Sequence, residues 1–137
     1  MSADDDIALI RTAFETWDRG DIDGFFELVH PEVEWRPPSY APEPGPHRGH
    51  EEVRKGIAAY FEGFEEFRPV PRDIRPASEP GTYLAEVSTH TKGKGSGLEW
   101  DIDVFHLITV RDGKLAGLSV FTDEGEALEA AGLAGDA

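Results

Sequence analysis

The sequence of 137 residues contains no cysteine. Disulfide bonds and thiolate metal sites are therefore excluded, and a cytoplasmic location is the natural expectation. No apolar run approaches the roughly 20 residues that a membrane-spanning helix requires. The start of the chain also lacks the charged and apolar segments of a secretory signal. We therefore expect a protein that does not insert into a membrane.

Basic residues are also scarce, because 13 Lys and Arg stand against 28 Asp and Glu, which gives a net charge of −15. Such a field repels nucleic-acid backbones and anionic membranes, so we expect neither as a partner. The simplest role of the acidity is solubility. With 39% hydrophobic residues, a chain of this length can bury one core. We therefore expect one domain over residues 1–137.

Hydrophobic periodicity divides the chain into a helical first half and a strand-rich second half. The predicted helices cover residues 7–19, 21–30, 47–64 and 124–133, and the predicted strands cover residues 32–35, 72–77, 82–91, 98–110 and 115–123. Helices segregated from a sheet indicate the α+β class, with a curved antiparallel sheet wrapped around the N-terminal helices. Such a sheet leaves a concave, largely apolar pocket between sheet and helices.

One histidine interrupts the most apolar predicted strand. In "WDIDVFHLITV", period-two alternation puts His106 on the same face as Trp100. A hairpin centred on Ser96 sets Glu86 directly opposite His106, about 5 Å away between Cβ atoms. A register slip of one residue instead separates the two side chains to opposite faces.

Two interpretations of a Glu86–His106 pair remain open. In the first, the carboxylate fixes the imidazole tautomer and favours its protonated form, so that the pair acts as a general acid/base on a small substrate. In the second, the two groups only satisfy each other within a semi-polar cavity.

Aromatic residues at helical and strand spacing either wall a pocket for a flat hydrophobic ligand or form plain core. Tyr40, in the proline-rich loop "RPPSYAPEPGP", is a candidate lid residue. His47 and His50 in "HRGH" lack a third ligand nearby, so we expect no metal site there and no cofactor. The candidate ligand-binding residues are Trp17, Trp35, Tyr60, Phe64, Ser88, Trp100, Val104 and Val120.

Several stretches together carry a family resemblance: "AFETWDRGDIDGFFELVHPEVEW", "HRGHEEVRKGI", "FHLITVRDGKLAGLSVFTD" and "EALEAAGL". They resemble the SnoaL-like group of the nuclear transport factor two superfamily over nearly the whole chain. The resemblance implies a cone-shaped α+β fold with an internal pocket, and a homodimer formed through the outer face of the sheet. The superfamily includes ketosteroid isomerases, polyketide cyclases, limonene epoxide hydrolases, dehydratases and non-enzymatic binding domains, so the fold leaves the chemistry open.

Carried over residue by residue, the resemblance disfavours two of these chemistries. Trp35 stands where ketosteroid isomerases keep their base, and Ala13 stands near their tyrosine position. Of the Asp-Arg-Asp set of limonene epoxide hydrolases, only the first Asp has an acidic counterpart here, near Glu86. The acid and histidine of polyketide cyclases correspond to Asp123 and His106, although Asp123 alternatively caps the last helix.

The sequence thus predicts a domain that binds a small apolar or polycyclic molecule. If it is an enzyme, we expect a cofactor-independent cyclase, isomerase or dehydratase with His106 as the acid/base and Glu86 as its orienting partner. The alternative is a non-catalytic ligand-binding or dimerisation module.

Overall fold

The computed structural model describes residues 2–38, 41 and 45–133. It contains helices α1 (Ala3–Asp18), α2 (Ile22–Glu27), α3 (Gly49–Phe61) and α4 (Glu124–Ala130), and strands β1 (Val29–Arg36), β2 (His47–Arg48), β3 (Phe64–Pro76), β4 (Thr82–Gly93), β5 (Glu99–Arg111) and β6 (Lys114–Phe121). The predicted α+β class is confirmed. Within the described residues, no helix has the length and hydropathy needed to cross a membrane.

The six strands form one curved, unclosed sheet in the order β2-β1-β6-β5-β4-β3. Neighbouring strands are antiparallel, except that β1 runs parallel to β6. The first three helices pack against one face, hereafter the inner face. There Ile10 of α1 joins a buried cluster with Val87 and Val104, and Phe26 of α2 joins a second cluster with residues of β1 and α3.

Strand β3 begins at Phe64, eight positions before the predicted start at residue 72. Pro69 and Pro71 obscured it, because proline cannot donate a ladder hydrogen bond and usually argues against a strand. The structure resolves the conflict by placing β3 at the edge of the sheet, where prolines are tolerated.

Helix α4 covers part of the opposite face, hereafter the outer face. Ala127 of this helix and Ala131, which caps its C-terminus, are buried against Leu84 and Phe105. Asp123 begins the helix, because its Oδ2 accepts the backbone N–H of Glu126 at 2.9 Å. Part of the outer face is therefore core rather than open surface.

A buried polar pair joins α1 to β4. Tyr83 is 3% exposed and donates its hydroxyl hydrogen to Asp6 Oδ2 at 2.6 Å. Burial and this carboxylate raise the pKa of Tyr83 to about 12. The other oxygen, Asp6 Oδ1, is buried without a hydrogen-bond partner in the described part of the chain. This carboxylate therefore depends on Tyr83 alone for a side-chain partner.

Candidate functional site

A cavity of about 270 Å³ lies between the inner face of the sheet and helices α1, α2 and α3. Its volume is close to the lower end of the range for small-molecule pockets, roughly 300 Å³. The lining is almost entirely apolar, and no Asp, Glu, Lys or Arg among the described residues contributes to it. His106 and Tyr60 are the ionisable side chains of this lining.

Most of the predicted ligand-binding residues line this cavity. They are Trp17, Trp35, Tyr60, Phe64, Trp100, Val104 and Val120. Ala13, near which the family resemblance puts the isomerase tyrosine, also lines the cavity and presents only a methyl group. A role of these residues in binding stays a prediction. Tyr40 lies outside the described residues.

His106 is largely buried on the inner face of β5. Its ring lies 5.6 Å from the ring of Phe14, between centroids, and its cross-strand neighbours are Ala85 and Val120. Within the described chain its ring nitrogens have no hydrogen-bond partner. Burial lowers the pKa of His106 to about 4, so the imidazole is neutral at pH 7. A neutral imidazole offers one donor and one acceptor.

The predicted pairing of Glu86 with His106 is wrong. Glu86 pairs with Phe105, and its side chain therefore lies on the outer face. The length of the hairpin loop explains the difference in register. Lys92 pairs with Glu99, and because an even number of residues lies between them, the hairpin has no single central residue. The hairpin centre thus falls between residues 95 and 96 rather than on Ser96, which shifts the register by one.

The same shift removes Ser88 from the site. Ser88 pairs with Asp103 on the outer face and does not line the cavity. Asp123 is also separate from the cavity, because it is exposed and caps α4. The cavity therefore brings neither predicted carboxylate to His106.

An aromatic cluster forms one side of the cavity. The ring centroids of Phe61 and Phe67 are 4.5 Å apart, those of Tyr60 and Phe64 are 5.7 Å apart, and Trp100 lies 6.1 Å from Phe64. Sequence reasoning missed Phe67 because the first half of β3 was not recognised. Phe67 and the prolines at 69 and 71 are spaced two residues apart and so lie on one face of the strand. This spacing is the sequence signal for the inward face of an edge strand.

The two histidines of "HRGH" take part in separate contacts. His50 Nε2 lies 2.8 Å from the backbone oxygen of Val29. The ring of His47 stacks on Trp35 at 5.2 Å between centroids. Both histidines thus help to pack α3 and β2 against β1.

Known proteins share this fold. An NTF2-like protein of unknown function from Burkholderia pseudomallei superimposes with a TM-score of 0.77 at 19% identity, covering 94% of this chain and 97% of that one. A Mycobacterium tuberculosis protein in complex with estradiol-17beta-hemisuccinate gives 0.72 at 14% identity, with 88% and 95% covered. SalBIII, an epoxide hydrolase/cyclase-like enzyme with a role in pyran ring formation in the polyether salinomycin, gives 0.72 at 12% identity, with 87% and 91% covered.

At these identities the structures demonstrate a common fold and nothing more specific. No curated protein sequence matches this chain. The sequence model of the SnoaL-like domain matches residues 10–118, which include the helices and strands that enclose most of the cavity. The chain therefore belongs to the SnoaL-like domain family.

Proposed function

We propose that the cavity binds a small, largely apolar molecule with ring character and that neutral His106 hydrogen-bonds to one polar atom of it. The observation that carries this proposal is the imidazole of His106, which has no hydrogen-bond partner among the described residues and lies in an almost entirely apolar cavity. A polar group that is largely removed from bulk water normally has a hydrogen-bond partner. A carbonyl or hydroxyl oxygen of the ligand supplies the partner that the described residues do not.

The aromatic cluster supports the same class of ligand. Rings at centroid distances of 4.5 to 6.1 Å present flat faces and edges against which an aromatic or polycyclic molecule packs. The complex of the M. tuberculosis protein with a steroid ester shows that this fold can hold such a molecule in that protein.

A second candidate function is catalysis of cyclisation, isomerisation or dehydration. It is favoured by the low pKa of His106, because a neutral imidazole polarises a carbonyl oxygen by donating a hydrogen bond. The described residues of the lining include no carboxylate to act with it, and Glu86 lies on the outer face, so no orienting role is proposed for Glu86. The epoxide hydrolase/cyclase-like neighbour supports ring chemistry as the reaction class.

Native mass spectrometry of protein purified from its source tests the proposal first, because it detects a retained small molecule. The same spectrum reports the oligomeric state and so tests the predicted homodimer. The cytoplasmic location also stays a prediction. A retained apolar molecule supports ligand binding, and its structure then defines the probes for titration.

Titrations of tryptophan fluorescence with matched probes, one with a ring carbonyl and one without, then test His106. We expect His106→Phe to remove the preference for the carbonyl probe while the affinity for the other probe changes little. Glu86→Gln is the control, since its side chain lies on the outer face. An unchanged carbonyl preference in His106→Phe contradicts the role of His106. Failure of every apolar probe to bind the wild-type protein contradicts the proposed function itself.

A further inference from the structure

A second group of ionisable side chains lies on the outer face, away from the cavity. His90 of β4 is surrounded by Glu66 of β3 and by Glu99 and Asp101 of β5. His90 Nδ1 lies 2.7 Å from Asp101 Oδ1, and His90 Nε2 lies 3.4 Å from Glu99 Oε1 and 3.7 Å from Glu66 Oε2. Strands β3 and β5 therefore bring three carboxylates to one imidazole on β4.

The two nitrogens of His90 have different surroundings. Asp101 accepts the Nδ1–H and so fixes the ring orientation and the tautomer. Nε2 then faces the other two carboxylates. Metal-binding histidines are commonly held in this way, with a carboxylate on the nitrogen remote from the ion.

The distances on the Nε2 side match the ligand spacing of a small divalent ion. Ligand atoms in a tetrahedral zinc site lie about 2.1 Å from the metal and therefore about 3.4 Å from one another. The potential ligand atoms of Glu66, His90 and Glu99 all lie within 4.8 Å of one another. Glu66 and Glu99 are exposed, so their side chains are free to turn toward an ion.

The charges of the group also favour a cation. Among the described residues, His90 is the one basic side chain within 4.0 Å of Glu66, Glu99 or Asp101. The neighbouring bases pair elsewhere, since Arg68 binds Asp18 at 3.1 Å and Lys92 lies 3.7 Å from Glu65.

We propose that Glu66, His90 and Glu99 form a binding site for a divalent transition-metal ion such as Zn²⁺, with Asp101 as the positioning residue for His90. Three protein ligands leave a fourth position for water, as in open zinc sites. The ion links β3, β4 and β5 on the face opposite the cavity. The ion therefore stabilises the pairing of these three strands. Protonation of His90 Nε2 competes with binding of the ion.

Calorimetric titration of tag-free, chelator-treated protein with ZnCl₂ at pH 7.5 tests the site. We expect one equivalent to bind and the thermal unfolding midpoint to rise, because the ion binds the folded state. His90→Ala should abolish binding, and Asp101→Asn should weaken it by roughly 10- to 100-fold. His30→Gln is the matched control and should bind as the wild type does, since His30 contacts a single carboxylate, that of Asp112.

Cobalt provides a second readout. Co²⁺ in place of Zn²⁺ should give the intense visible bands of a tetrahedral site in wild type and none in His90→Ala. Absence of zinc binding to the wild type overturns the proposal. Zinc binding of equal affinity in His90→Ala overturns it as well, because the ion then occupies other acidic groups.

Discussion

His106 lies directly opposite Ala85 across the β4–β5 ladder. The strand on that side therefore offers the imidazole a methyl group, and Val120 on β6 offers an apolar side chain on the other side. Phe14 packs against the ring as well, and none of these three neighbours carries a negative charge. The neutral imidazole is a consequence of these neighbours.

We expect an NMR titration to show that His106 remains uncharged down to about pH 4. Its pKa is lower in the folded state than in the unfolded state, where it is about 6.5. Full stability is therefore present above pH 6.5 and falls as the pH decreases toward 4, by up to about 3 kcal/mol.

Urea unfolding of wild type and His106→Leu at pH 7 and pH 4.5 isolates this contribution from those of the many carboxylates. The wild type should lose more stability between the two pH values than the variant does. Equal losses in the two proteins would contradict the low pKa.

Asp123→Ala should destabilise the protein by about 1 kcal/mol, because α4 loses the side chain that caps its N-terminus. Asp123→Asn retains an acceptor and should be nearly neutral. Thermal unfolding measures both effects. Ligand affinity should not change in either variant, and a selective loss of affinity in both would return Asp123 to the site.

Gly56→Ala should destabilise the protein even though alanine favours a helix. A Cβ at Gly56 meets the ring of His47 at 2.8 Å, and this ring cannot easily move because it stacks on Trp35. The overpacking cost of about 1–3 kcal/mol exceeds the helix-propensity gain of about 1 kcal/mol. Gly63→Ala is the control, since a Cβ there has no neighbour within 4 Å. Equal unfolding temperatures for Gly56→Ala and wild type would show that His47 moves aside.

Tyr83→Phe should cost about 1–3 kcal/mol, because it leaves the buried carboxylate of Asp6 without its hydroxyl partner. The double variant Tyr83→Phe, Asp6→Leu should recover part of the loss, since both polar groups are then gone. Denaturant unfolding of the two variants measures the difference. A double variant less stable than Tyr83→Phe would show that Asp6 contributes in another way.

The same pair predicts behaviour at high pH. The pKa of Tyr83 is raised to about 12 from its ordinary value of 10. Its contribution to stability is therefore complete below pH 10 and is lost as the pH rises toward 12. Absorbance at 295 nm should show one tyrosine that ionises late or only on unfolding, and Tyr83→Phe should lack this late component.

The inner face of β5 was predictable because its apolar residues alternate with polar ones, which placed His106 and Trp100 correctly. The face of β4 was not predictable in the same way. Leu84 and Ala85 are both buried, since α4 covers one face and α1 the other, and polar residues follow on both faces. The hydrophobic pattern of β4 therefore did not determine which residue pairs with Glu86. The length of the glycine-rich loop between β4 and β5 could not be predicted either.

The proposed metal site could not be predicted from the sequence for a related reason. Glu66, His90 and Glu99 lie on three different strands. They come together only through the β3–β4 and β4–β5 registers, and both registers involve β4. The close spacing of two histidines instead made "HRGH" the segment to consider for a metal site, and there the structure shows packing contacts.

The parallel pairing of β1 with β6 has a consequence for how the protein reaches its fold. Trp35 of β1 pairs with Leu118 of β6, so one wall of the cavity is joined by residues far apart in sequence. Pairings of this kind form slowly because a long loop must close first. During synthesis on the ribosome, β1 can pair with β2 and pack against α3 at once, but its other edge stays unpaired until β6 emerges and is available to chaperones or to aggregation until then.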